Sequence, residues 1–220
     1  MKSLSFRVII ILLFTPTLAL SYDTSEGNIS VSAGALLSQS IFNSSADGSA
    51  ASQLGSFGFT VLGDINEQGS LEVGFYFLNK QYYREIGERS LVEMTKLSHI
   101  SMGYRRWLSK KASASLSLGT GYSMGEVQVV QSDFLLNENV GTSARDTTEY
   151  TLDLAFQYEL WRQNKNSVFL ETRYSKSLTA QKDEYADHAS IMLSWQVLLQ
   201  NKDFPDDETA KYDEKNTDEK

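Results

Sequence analysis

Two short stretches carry the residue types of nucleophilic chemistry, His99-Ile100-Ser101 and His188-Ala189-Ser190. On a β-strand, residues i and i+2 share a face. Either imidazole could therefore activate the hydroxyl beside it. Glu149 and Asp153 offer a second chemistry, paired carboxylates for acid–base work. Spaced four apart on a strand, they share a face but stand about 13 Å from each other. That separation suits two members of a charge network better than a catalytic pair. The chain holds no cysteine and two histidines, so thiolate metal sites and disulfides are excluded. No phosphate-binding loop, nucleotide fingerprint or metal-ligand cluster is present. We expect no catalytic residue, no cofactor and no metal.

The elements that position these residues are strands. The period is two almost everywhere, and no helical period competes over a comparable length. Eight strands are expected, near residues 28–41, 55–62, 70–83, 92–107, 113–129, 149–161, 167–176 and 187–199. The sixth alternates without a break through Tyr150, Leu152, Leu154, Phe156, Tyr158 and Leu160. Neither of the two prolines, Pro16 and Pro205, interrupts a strand. The links between strands alternate in length. Residues 42–54, 84–91, 130–148 and 177–186 form the longer set, and 63–69, 108–111 and 162–166 the shorter.

Both ends of the chain differ in character from this middle. Lys2 and Arg7 flank the start of a compact apolar core, Val8 to Phe14, and Ala19-Leu20-Ser21 follows. This pattern is a secretory signal, residues 1–21. Residues 22–199 form the strand-bearing domain. Residues 200–220 contain eight acidic and four basic side chains and read as a disordered acidic tail. The formal net charge is −8, and it becomes more negative once Lys2 and Arg7 leave with the signal. Nucleic acid is not an expected partner, because phosphate binding needs concentrated Lys and Arg.

The polar faces of the strands carry charges: Glu72 and Lys80, Arg105, Asp153, and Glu171 with Arg173. Turned to lipid near the bilayer centre, each would cost about 2–4 kcal/mol. The apolar faces must then meet lipid and the charges must line the interior. A narrow interior tolerates charge only when it is paired. Glu72, Arg105, Asp153, Glu171 and Arg173 are expected to form one lumenal network. In Ser113 to Tyr122 (SASLSLGTGY), Ser113, Ser115, Ser117, Gly119 and Gly121 would look inward beside those long side chains. Leu116, Leu118 and Tyr122 would look out to lipid. Tyr82, Tyr83, Tyr104, Trp107, Tyr158, Trp161 and Trp195 lie near strand ends, as interfacial belts do. Trp107, Trp161 and Trp195 are the expected interfacial anchors. Trp161 is out of phase with its strand, so a bulge or a strand end must intervene.

The fold class is therefore all-β, an eight-stranded antiparallel up-and-down transmembrane barrel. The hairpin ISMGYRRWLSKKASASLSLGTGY (100–122), the alternation of the sixth strand and the aromatic end of the eighth carry a family likeness. The chain resembles the small eight-stranded outer-membrane barrels of Gram-negative bacteria, the OmpA-like transmembrane domains and the OmpX-like barrels. That resemblance implies a non-catalytic outer-membrane protein with both termini periplasmic. It also implies contact with outer-membrane lipids and lipopolysaccharide, insertion by the barrel-assembly machinery, and a loop partner outside the cell. Some barrels of this size modify lipid A, and the deacylase type uses His-x-Ser. Neither His-x-Ser here has a carboxylate at the spacing of that family. A narrow porin-like solute channel and a soluble periplasmic lipocalin-like binder are the other readings. The family often ends on an aromatic residue, whereas here Leu199 is followed by a polar tail.

Overall fold

The computed structural model describes residues 25–42, 53–135 and 138–200. The expected signal lies outside the described residues, as does the tail beyond Gln200. Ten strands appear: β1 (Ile29–Ile41), β2 (Gln53–Asn66), β3 (Gly69–Ile86), β4 (Arg89–Trp107), β5 (Ala112–Ser123), β6 (Gln128–Ser132), β7 (Thr148–Gln163), β8 (Asn166–Ser177), β9 (Glu184–Tyr185) and β10 (Asp187–Gln200). Eight of them close a ring in the order β1-β2-β3-β4-β5-β7-β8-β10, and β10 returns to β1. Every pairing is antiparallel. Closure leaves no free edge around the wall, so its backbone groups pair across the ladders, interrupted by register shifts such as those at Asp64/Asn66 and Glu159/Trp161.

The short β6 and β9 extend this wall. β6 pairs with the outer part of β4 and β9 with the outer part of β3. The sequence placed residues up to Val129 on the fifth strand. The chain instead leaves β5 after Ser123 and starts afresh at Gln128.

The link lengths also need one correction. The turns at Glu67-Gln68, Leu108–Lys111 and Asn164-Lys165 are short and lie at one end, where Ile29 also pairs with Gln200. At the opposite end the β3–β4 connection is short as well, only Gly87-Glu88. Gly87 has φ +65°, which glycine adopts without strain. The residues read as a long loop there, 84–91, are mostly strand. β3 and β4 consequently run roughly 20 Å past the rest of the wall.

Alternation decides which side chains enter the barrel. Leu152, Leu154 and Phe156 are exposed on the outer surface, while Asp153, Ala155 and Gln157 are buried within. On β5, Ser113, Ser115, Ser117, Gly119 and Gly121 are buried and Leu116, Leu118 and Tyr122 exposed. Outside, the wall is a continuous apolar band that includes Phe57, Phe59, Leu71, Phe75, Met102, Ile191 and Leu193. Gln39, Asn79, Lys96 and Lys176 end it in outward phase on four strands. An outer face of this chemistry belongs in hydrocarbon. A lipocalin has the reverse polarity, an apolar interior and a wet exterior, so the soluble reading fails here.

Candidate functional site

Among the described residues, the lumen gathers the buried charged and titratable side chains that the sequence singled out. At its centre four residues form a closed ring of alternating charge. Arg105 Nε donates to Glu72 Oε2 at 2.5 Å, and Arg105 Nη2 donates to Glu171 Oε2 at 2.6 Å. Arg173 Nη2 donates to Glu72 Oε1 at 2.7 Å and to Glu171 Oε1 at 3.0 Å. Each carboxylate thus bridges both guanidinium groups. Arg105 also reaches Ser113 Oγ at 3.0 Å and Gln157 Oε1 at 3.2 Å. Arg173 lies over the Tyr76 ring at 4.8 Å. Fork-shaped guanidinium donors suit this bidentate sharing, which a lysine could not supply.

Asp153 joins the ring through Arg173 Nη1 at 3.6 Å. Its firmer partners are His99 Nε2 at 2.7 Å and the Thr151 hydroxyl at 2.8 Å. A histidine held by a carboxylate is half of a nucleophile-activating array. The third member is not assembled. Ser101 Oγ and His99 Nδ1 each lack a hydrogen-bond partner among the described residues. His188 packs its ring edge against His99 at 5.9 Å. Both His-x-Ser pairs face the lumen, away from the outer lipid-facing wall. Glu149 and Asp153 also part company: Glu149 accepts from Lys80 Nζ at 2.5 Å and from the Tyr82 hydroxyl at 2.9 Å. Among the described residues, no three His, Cys, Asp or Glu side chains gather as metal ligands.

Small residues make room for this crowd. A Cβ at Gly119 would stand 2.3 Å from Thr151 Oγ1 and 2.5 Å from His99 Cε1. Only glycine lets β5 pass that close to the His99–Asp153 pair.

Both ends of the lumen are stoppered. At the short-turn end Leu62, Trp107 and Phe169 pack together, and Trp107 Nε1 donates to Ser70 Oγ at 3.0 Å. Trp107 is therefore not an interfacial anchor. It shares the inward phase of His99, Ser101 and Arg105, and only 8% of it is exposed. Tyr82 leaves the expected belt for the same reason, whereas Tyr83 keeps the outward phase of Phe75 and Phe77 and is buried against Tyr185 of β9, 5.8 Å away. Trp161 and Trp195 do face outward and lie 5.8 Å apart. A register shift between Glu159 and Trp161 turns the Trp161 side chain out.

At the other end, part of the long 133–147 segment folds back into the barrel as a cork. Thr142, Ser143 and Ala144 are buried, and Ala144 packs on Tyr82 and Ala186. Glu93 anchors the cork. Its carboxylate accepts from the Thr142 backbone N–H at 2.9 Å, the Thr142 hydroxyl at 2.8 Å and Arg145 Nη2 at 2.6 Å. Ser143 is held by Glu184 at 2.8 Å. Sequence reasoning singled out neither Glu93 nor Glu184. Glu93 lies on the expected fourth strand with the parity of His99 and Arg105, so phase alone would have found it.

The closed ring of pairings, the apolar outer band and the charged, stoppered interior together define a small eight-stranded membrane β-barrel. Neither a scan against protein-family models nor a search of curated proteins gave a match for the sequence. Among solved structures, the chain is similar to the outer membrane protein OprG from Pseudomonas aeruginosa, at 13% identity and TM-score 0.49 over 81% of this chain and 99% of that one. It is similar to Ail, the attachment invasion locus protein of Yersinia pestis, in complex with the heparin analogue sucrose octasulfate, at 15% identity and TM-score 0.48 over 79% and 99%. It is also similar to Neisserial surface protein A, at 13% identity and TM-score 0.40 over 78% and 99%. The barrel assignment rests on the strand pairings above and not on these similarities.

Proposed function

We propose that the protein is a sealed, non-catalytic barrel of the Gram-negative outer membrane that displays its extended β3–β4 hairpin to partners outside the cell. The observation that carries this reading is the ring of Glu72, Arg105, Glu171 and Arg173, which fills the middle of the lumen. With Trp107 below and Ala144 above, three successive layers occupy the path a solute would take. An eight-stranded barrel is narrow enough for side chains to fill it.

In this reading the short-turn end and both termini are periplasmic, as in barrels with short periplasmic turns. The apolar band meets outer-membrane lipids and lipopolysaccharide, and the barrel-assembly machinery inserts the chain. The surface on offer outside is the hairpin around Gly87 together with β6. Residues 142–144, which belong to the longest loop, are turned inward as the cork and are withdrawn from partners.

The test has two arms. In proteoliposomes, small sugars should cause no swelling above that of empty vesicles. Measurable swelling would assign a channel instead. In cells, Ser101→Ala and Ser190→Ala should leave lipid A unchanged, and a changed lipid A would assign an enzyme.

A further inference from the structure

Outside the closed wall, the sheet ends on β6. This strand pairs with β4 on one side, from Leu91↔Ser132 to Met94↔Gln128, and among the described residues no strand lies on its other side. All five of its residues are exposed, Val129 at 57% and Val130 at 46%. A strand held by a single ladder presents its outer row of N–H and C=O groups to a further strand. On the far side of the hairpin, β9 is only two residues long and offers no comparable edge. Within β6 there is no charge and no proline to deter pairing. Acids stand just beyond both of its ends instead, Glu126 and Asp133, and both are exposed. The nearby bases are largely taken up. Glu93 holds Arg145 at 2.6 Å, and Glu138 holds Arg89 at 2.8 Å, with Asp133 near the same guanidinium. Lys96 lies below, where its carbonyl accepts from the Met124 N–H at 2.8 Å. With Glu88 at the hairpin tip, acids outnumber bases around the strand.

We propose that the free edge of β6 docks an extended segment of another protein, uncharged over the length of β6 and carrying Lys or Arg at both ends. The inference rests on the outward display of this end proposed above and adds the class of partner. The backbone ladder supplies the affinity, as in other cases of strand addition. The end charges supply the selection, because exposed ion pairs add little strength of their own. They also turn away a second copy of this chain. Antiparallel pairing centred between Val129 and Val130 puts Glu126 of each copy beside Asp133 of the other. Parallel pairing in register puts each acid beside its own equivalent. Like charges directly opposite destabilise a ladder, so the edge refuses itself and admits a strand with basic ends. Val130 keeps the docked strand short. Glu93 pairs with Val129 and Val92 with Gln131, so Val130 is the extra residue of a bulge, where the strand twists more sharply.

The test uses the full-length protein in phosphatidylcholine nanodiscs and a fluorescent, end-blocked peptide, Lys-Val-Thr-Val-Gln-Val-Thr-Lys. When extended, its two lysines stand roughly 23 Å apart, about the span from Glu126 to Asp133. Fluorescence polarisation should show saturable binding, and hydrogen exchange should show new protection within residues 128–132. The same peptide with Glu at both ends should bind several-fold more weakly. N-methylation of every central residue, which removes the ladder donors, should abolish binding. Glu126→Lys alters an exposed side chain outside β6. It should weaken the Lys-ended peptide several-fold and strengthen the Glu-ended one. No saturable binding, binding that survives N-methylation, or protection only elsewhere would overturn the proposal. So would protection of 128–132 that grows with protein concentration alone, which would assign the edge to a second copy. Display is read separately, by labelling Val129→Cys with a membrane-impermeant maleimide in intact cells. Labelling without peptide binding removes the docking edge and keeps the display. Binding without labelling keeps the docking edge and removes the display.

Discussion

Arg105 and Arg173 share both of their carboxylate partners: Glu72 and Glu171 each accept from the two guanidinium groups. Two like charges are thereby held in one narrow lumen without a net clash. The arrangement is a closed circuit, and removing one member leaves the other three unbalanced. Each of the four is buried, so no solvent compensates the loss.

Breaking this circuit by one residue should be more damaging than removing a matched pair. Glu72→Ala leaves two buried guanidinium groups with one carboxylate between them, a loss of about 3–5 kcal/mol. Glu72→Leu combined with Arg105→Leu leaves Arg173 paired with Glu171 and should cost less than either single change. Urea midpoints in detergent for the two singles and the double give the coupling directly. Additive losses would show that the four groups act independently.

The three tryptophans should separate by environment. Trp107 is buried among Leu62 and Phe169, whereas Trp161 and Trp195 face outward near the short-turn end. In single-tryptophan variants, lipids brominated near the interface should quench Trp161 and Trp195 and spare Trp107. Trp107→Ala should cost about 3–5 kcal/mol through the cavity it leaves. Trp195→Ala, which leaves no cavity, should cost much less.

Tryptophan also shows how far the alternation carries and where it stops. Trp107 lies two residues after Arg105, so the parity that places Arg105 inside places Trp107 inside. Proximity to a strand end suggested the opposite, and parity won. Trp161 has the wrong parity for lipid, and the predicted irregularity is a register shift next to it. The charge network was legible because a charged side chain in a membrane wall has only one low-cost direction. The cork was not legible. Residues 142–144 carry no period, and their burial depends on Glu93 and Glu184, which lie 49 and 41 residues away from Thr142 and Ser143 along the chain. Likewise, nothing local in 84–91 distinguishes a loop from a strand turned by the single Gly87.

Gly119 should resist any side chain. A Cβ there would enter the space of Thr151 Oγ1 and His99 Cε1. Gly119→Val should cost about 1–3 kcal/mol by overpacking and lower the temperature at which the folded form converts to the heat-denatured band on gels. The neighbouring Leu118→Val changes an outward side chain and should leave that temperature nearly unchanged.

Acid should loosen the outer hairpin before the wall. Asp133 accepts from the Ser90 N–H at 2.9 Å and the Ser90 hydroxyl at 2.8 Å. These bonds, the backbone one first, hold its carboxyl below the ordinary value of 3.8. A depressed folded-state value stabilises the fold above the ordinary carboxylate range and loses that contribution as the pH falls through the folded value. Hydrogen exchange at the Ser90 amide should therefore lose protection, after correction for intrinsic rates, as the pH falls below 3.8. Asp133→Asn should remove that pH dependence.

The account stands most directly on which way β7 points its side chains. The chain has no cysteine, so each introduced thiol reports alone. Spin labels placed singly at positions 150 to 158 in lipid vesicles should alternate. Labels at 150, 152, 154, 156 and 158 should be accessible to oxygen and shielded from a polar nickel reagent. Labels at the intervening positions should be shielded from both. Loss of the alternation, or nickel access at 152, 154 and 156, would contradict it.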